Sequence, residues 1–291
     1  MTHAITDKQI IRDCFFEGER SLYAQTNTNL ENVQFQPGES PLKHARDVSV
    51  IQCEFMGKYP LWHSDTISID QCHFTVTARA AIWYTQHLSM RNSTVDAPKM
   101  FRQVSHLTIE NSQFPNAGET LWNCRNIHMN SVEFSGADYI LMNCENIEID
   151  NMKLQGNYSF QDSKNIVIRN SILDSKDAFW GAENITVYDS VLDGEYLGWH
   201  SKNLRLINCT IRGEQPLCYA TDLVMQNCKM ENTNFSFEYS TVQADICSDI
   251  VSVRNPKGGY IRAPYIGEII IDEHCHNPGA CDIQILKSKV A

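Results

Sequence analysis

The sequence predicts an all-β fold, a single-domain right-handed parallel β-helix with about 19–21 residues per coil, and three observations carry that prediction. A short pattern recurs: a polar residue, often Asn, then alternating apolar positions, then Asn or Asp, a small residue or Cys, and a further apolar residue. Its clearest copies are NIEIDNMKL, NIVIRNSIL, NITVYDSVL, NLRLINCTI and DLVMQNCKM. The first apolar residues of successive copies are Val48, Ile67, Leu88, Leu107, Ile127, Ile147, Ile166, Ile185, Leu204 and Leu223, with gaps of 19 to 21. A coil this short holds brief strands and turns but no helix of ordinary length. Within each copy the apolar alternation has period two and slips by one residue, as between Ile185, Val187 and the pair Ser190, Leu192, which marks a turn joining two strands. The leucine-rich solenoid has a similar period, but its consensus is absent.

The elements follow in order. Coiling starts near residue 10 and runs to about 245, and residues 246–291 are expected as an irregular final coil and cap of the same domain, giving eleven or twelve coils in all. Asn126, Asn146, Asn165, Asn184 and Asn203, just before the anchors, would stack as a ladder at one turn, because Asn tolerates left-handed backbone and its amide can bond the next rung. Asn92, Asn111, Asn151, Asn170, Asp189, Asn208 and Asn227 mark a second turn. Right-handed coiling is expected because parallel crossovers are almost always right-handed. Cys53 and Cys72, Cys124 and Cys144, and Cys209 and Cys228 share columns on neighbouring coils, as small interior side chains would.

Composition narrows the partners. With 42% apolar and 20% charged residues the chain is globular rather than disordered. Against 35 acidic residues stand 24 Lys and Arg, and the net charge of -11 repels phosphate backbones, so nucleic acid is not an expected partner. No run approaches the roughly 18 apolar residues of a membrane helix, and the start MTHAITDKQIIRD carries Asp7 and Asp13 where a signal peptide would be apolar. No membrane association and a cytoplasmic location are the expectations, with the 11 cysteines held as reduced thiols. No cofactor is expected.

Several motifs then carry a resemblance. GERSL at 18–22, GESPL at 38–42, GEYLGW at 194–199, GEQPL at 213–217 and KDAFW at 176–180 resemble the bacterial domain of unknown function 3737, over nearly the whole chain. The resemblance implies a single-domain β-helix similar to the pectin-lyase-like superfamily, and it brings no established activity.

Chemistry is sought in one register column. Trp62, Trp83, Trp122, Trp180 and Trp199, all the tryptophans of the chain, stand five residues before their anchors. The preceding column, Leu61, Ile82, Leu121, Leu141, Phe160, Phe179 and Leu217, is apolar and expected inward, so alternation points the indoles outward as an aromatic stripe. Such a stripe fits the apolar faces of sugar rings, and an oligosaccharide or polysaccharide is the expected partner. Acids recur just upstream at Glu39, Glu119, Asp138, Asp177, Glu195 and Glu214, while His63, Tyr84, Asn123, Asp162, His200 and Tyr219 follow. Paired carboxylates are what glycoside hydrolysis needs, whereas a lyase needs a base and a cation. KDAFW and GEYLGWH, on adjacent coils, gather the richest set: Asp177 and Glu195 as acid and base, His200 as an alternative base, Lys176 as anion stabiliser, and Trp180 with Trp199 for stacking. Read structurally, the Gly-Glu acids would only bond turn backbone, and the stripe would be an interface with another copy of the chain or another protein. The patterns of polygalacturonases and pectate lyases are absent. HCHNPGAC groups His274, Cys275, His276 and Cys281, but the spacing misses the usual zinc unit, so no metal is expected.

Overall fold

A computed structural model describes residues 8–286. These residues form strands and turns without any helix, and therefore none long and apolar enough to cross a membrane. The fold is the expected parallel β-helix. Contacts within the chain fall into two compact units, residues 1–133 and 134–291.

The first unit opens with two long strands, Gln9–Glu19 and Thr26–Glu39. The next three coils each break into a six-residue strand and a two-residue strand: Arg46–Ile51 with Glu54–Phe55, Asp65–Asp70 with His73–Phe74, and Gln86–Arg91 with Thr94–Val95. Every ladder is parallel, and the register sets Val48 beside Ile67, Ile67 beside Leu88 and Leu88 beside Leu107. Those anchors are buried, as the period-two pattern requires. Phe35, Phe55 and Phe74, all fully buried, stack face to face at 4.8 and 4.5 Å. A parallel ladder brings the same position of the next coil about 4.8 Å away, which suits ring stacking and so favours files of like residues in the interior.

In the second unit the register runs Ile147, Ile166, Ile185, Leu204 through the strands Glu145–Asn157, Lys164–Arg169, Glu183–Tyr188 and Lys202–Ile207. The predicted amide ladder is present here: Asn165 donates to Asn146 (3.0 Å), Asn184 to Asn165 (3.1 Å) and Asn203 to Asn184 (3.0 Å). At the second turn Asn208 donates to Asp189 (3.0 Å) and Asn227 to Asn208 (2.9 Å). All these residues have positive φ, the geometry for which Asn is best suited.

Beyond residue 245 parallel pairing continues. Gly258–Ala263 pairs in parallel with both Thr241–Ile246 and Cys281–Ile285, and Ile250–Arg254 pairs with Ile266–Ile270. About 15 turns result instead of eleven or twelve. The additional coils were hidden because Gln9, Thr28, Gly259 and Cys281 stand where the other coils carry an apolar anchor.

Two local features position the surface residues. Ahead of the first Asn column, alternate residues are left-handed even when they are aromatic, as at Tyr158, Phe160 and Asp162 (φ 57°, 62° and 56°). Such geometry costs an L-residue about 1–2 kcal/mol, and here it persists because each N–H reaches a carbonyl on a neighbouring coil. The Gly-Glu motifs arise from close approach. A Cβ on Gly38 would lie 2.2 Å from the Gly18 carbonyl oxygen, and one on Gly213 would lie 2.3 Å from that of Gly194.

Seven cysteines are buried, including Cys53, Cys72, Cys209 and Cys228. The backbone N–H of Cys53 donates to the Cys72 thiol at 3.4 Å, and the free thiols of Cys209 and Cys228 donate to the backbone carbonyls of Val187 and Leu206.

Candidate functional site

The tryptophans lie on the outside, each half-buried, while Leu61, Ile82, Leu121 and Phe179 beside them are fully buried. Neighbouring side chains cover much of their faces. In the first unit Trp62 and Trp83 stack on each other at 5.0 Å with planes 9° apart. The Arg102 guanidinium lies 4.6 Å from the Trp83 ring and 4.3 Å from the Trp122 ring. Glu119 anchors that guanidinium at 3.1 Å and also binds Lys99 at 3.0 Å. The indole N–H of Trp62 donates to the Ala80 carbonyl and that of Trp83 to the Lys99 carbonyl. Faces and N–H groups are therefore occupied within the unit, and a ligand would meet ring edges. Stacking follows from the ladder itself, because coils 4.8 Å apart leave no room for a sugar between two rings. Arg102 is legible in the sequence as the residue five before Leu107, in the tryptophan column, although it is not aromatic.

In the second unit the ladder brings Lys176 and Glu195 of the expected residues together. Lys176 faces Glu195 on the next coil, and their charged groups meet at 3.2 Å. The same ammonium lies 5.1 Å from the ring of Tyr196, and the ion pair keeps Lys176 protonated beyond its usual range. Asp177 is only 4% exposed, and its carboxylate accepts no hydrogen bond among the described residues. Its place in the column lies between Tyr158 and Tyr196 on the coils to either side. Burial pushes the Asp177 carboxyl above the usual carboxylate range; the Lys176 ammonium opposes this and Glu195 adds to it. A raised carboxyl beside a paired one is the arrangement that separates an acid from a base.

Around these groups the aromatic packing is looser than in the first unit. Trp180 and Trp199 are 5.5 Å apart with planes tilted by 33°, and His200 lies 5.4 Å from Trp180 while stacking on Tyr219 at 4.9 Å. Trp199 donates its N–H to the Gln215 carbonyl, whereas Trp180 has no protein acceptor among the described residues. The imidazole of His200 is exposed.

Glu39 and Asp138, like Glu119, make side-chain contacts between coils. Glu39 meets Lys58 at 3.4 Å, and Asp138 accepts from the backbone N–H and the side-chain amide of Asn157. Downstream in the first unit, His63 stacks between His44 (5.2 Å) and Tyr84 (4.7 Å), and burial lowers its pKa, with the neighbouring His44 and Lys43 acting the same way. Of the HCHNPGAC residues, His276 packs its edge against Tyr239 and Cys275 donates its backbone N–H to the Asp272 carbonyl. Among the described residues no three or more His, Cys, Asp or Glu side chains form a group able to hold a metal ion.

Comparison with known proteins gives one family. The description "Protein of unknown function (DUF3737)" matches residues 9–284. No curated protein matches the chain. Among solved structures, PfbA, a surface adhesin of Streptococcus pneumoniae, aligns with a TM-score of 0.43 at 11% identity, covering 90% of this chain and 83% of that one. The A-module of the mannuronan C-5 epimerase AlgE4 from Azotobacter vinelandii aligns at 0.37 and 10%, covering 96% and 89%. A tailspike mutant of E. coli bacteriophage HK620, solved with a pentasaccharide, aligns at 0.34 and 7%, covering 95% and 71%.

Proposed function

The chain belongs to the DUF3737 family, and from that premise we propose that it is a glycan-processing β-helix whose acid–base centre is Lys176, Asp177 and Glu195. The observation that carries this reading is the Asp177 carboxyl, 4% exposed, without a hydrogen-bond donor and raised by burial. A carboxyl in that state holds its proton longer than an exposed one and donates it to a leaving glycosidic oxygen. Glu195, neutralised by Lys176 at 3.2 Å, is the partner that takes a proton from water or attacks the anomeric carbon. Lys176 gives a second use, the neutralisation of a substrate carboxylate, and exposed His200 is the alternative base. The N–H of Trp180, which has no protein acceptor among the described residues, is a donor for a sugar hydroxyl.

The test is a screen of polysaccharides for release of reducing ends, followed by Asp177→Asn and Glu195→Gln on whichever substrate responds. Each variant should lower turnover by at least about 100-fold while the melting temperature holds. If both variants melt several degrees lower and the substrate is bound and turned over as before, the carboxylates are structural and the assignment fails.

A further inference from the structure

The repeats of one chain serve as controls for one another, and one column of the first unit departs from its own rule. In the second unit the left-handed turn position runs Asn146, Asn165, Asn184 and Asn203, joined rung to rung, before Asp222. The corresponding positions of the first unit are Asn27, Asp47, Thr66, His87 and His106, followed by Asn126, and all are left-handed. Thr66 at φ 55° is the costliest of these, because a branched Cβ crowds the following carbonyl.

The departing residues border a groove of about 350 Å³. Its floor is a second column, in which Ser49 lies beside Ser68, Ser68 beside Ser89, and Ser89 beside Thr108. The matching positions of the second unit are the larger Glu148, Val167, Thr186 and Arg205, so small side chains are what open the groove. None of the four hydroxyls has a protein partner among the described residues, whereas interior hydroxyls such as Ser64 and Ser93 bond to backbone carbonyls. On the groove wall the Nδ1 of His87 meets the Asp65 carboxylate at 2.9 Å, which fixes the ring and leaves its other nitrogen unbonded. His106 stacks beneath it at 4.7 Å.

We propose that this groove is a binding site for a neutral oligosaccharide lying along the file of hydroxyls, with His87 and His106 as its wall. Hydroxyls both donate and accept, so an evenly spaced file of them matches the vicinal hydroxyls of a sugar chain without demanding charge. Strained and atypical rungs collected at one groove are what a functional surface superimposed on a structural repeat looks like. The site shares the glycan class of the proposed function but none of its residues.

The experiment follows the imidazole proton resonances of the histidines while cellohexaose, xylohexaose or a trimeric oligouronate is added. The resonances of His87 and His106 are expected to shift with cellohexaose or xylohexaose while that of His63 stays in place. The double variant Thr66→Asn/His87→Asn restores the amide rungs of the other coils. It should bind at least about tenfold more weakly and melt at the same temperature or higher. Ser89→Val keeps every rung, fills the floor, and should weaken binding similarly. Asp177→Asn should leave this binding intact. The proposal is overturned if neither neutral sugar shifts the two histidines, if only the oligouronate does, if the double variant or Ser89→Val binds as the wild type does, or if Asp177→Asn abolishes binding.

Discussion

The two units are built from one repeat, yet they use its outward columns differently. In the second unit the left-handed column holds Asn146, Asn165, Asn184 and Asn203 in succession before Asp222, while in the first Asp47, Thr66, His87 and His106 stand between Asn27 and Asn126. The tryptophan column shows the reverse order: Trp62 and Trp83 stack in parallel in the first unit, with Arg102 between Trp83 and Trp122, and Trp180 and Trp199 are tilted by 33° in the second. Interior files are alike in both, because any residue that breaks alternation there leaves a void or a buried polar group. A solenoid's chemistry is therefore to be sought where an outward column abandons its consensus, in whichever unit that happens.

The strongest test of this shared scaffold is Gly213→Ala. With a backbone oxygen 2.3 Å from the new Cβ, a loss of several kcal/mol is expected, measured by urea denaturation. Gly18→Ala, where φ is also positive but no atom lies within 4 Å, should cost only about 1 kcal/mol. Equal losses would mean that strain in the coil, rather than approach of the neighbouring coil, fixes the Gly-Glu motif.

Next in size is the tryptophan column. Arg102→Ala removes a cation held between two rings and leaves Glu119 with one cation, so about 2 kcal/mol should be lost. At the same column position in the second unit, Gln161→Ala should change stability by under about 0.5 kcal/mol, since its amide reaches only Asp162 at 3.4 Å.

A smaller contrast appears on changing pH. The hydrogen bond from His87 holds the Asp65 carboxyl below its usual range, so its stabilisation is present above the unfolded-state pKa and is lost as pH falls through the folded-state value. Asp177 has the opposite sign. Its raised carboxyl binds a proton more tightly when folded, so its contribution is present in acid and is lost as pH rises through the folded-state value. In thermal melts Asp65→Asn should flatten the acid limb, while Asp177→Asn should be neutral or stabilising at pH 7. Destabilisation by Asp177→Asn at pH 7 would contradict the unpaired carboxyl.

The least change is expected from thiol labelling. With seven of 11 cysteines buried, the native protein should titrate at most four thiols and the denatured protein all 11.

How far the sequence reached depends on what a period can encode. Column membership was legible, and with it the inward residues, both Asn turns and the grouping of Lys176, Asp177 and Glu195. Ring orientation was not, because the spacing of Trp62 and Trp83 says they share a column but not that their planes coincide. Left-handed Tyr158 and Phe160 contradict local preference and are held only by bonds to other coils. Ser49, Ser68, Ser89 and Thr108 stood in register in the sequence, but a search for apolar repeats passes over hydroxyls. The coils after 245 were missed because glycine and cysteine replaced the anchors.

The amide ladder of the second unit has one more consequence. Asn165 donates to Asn146 and is itself the acceptor for Asn184, so every rung offers the same half-bond on each side. Identical rungs carry no address: a folding chain that slips by 19 residues would find the same partner waiting. Unlike rungs do carry one, since Arg102 fits only between two indoles and His87 meets an aspartate one coil back. The irregular residues of the first unit thus act as index marks, telling the chain which coil it is laying down.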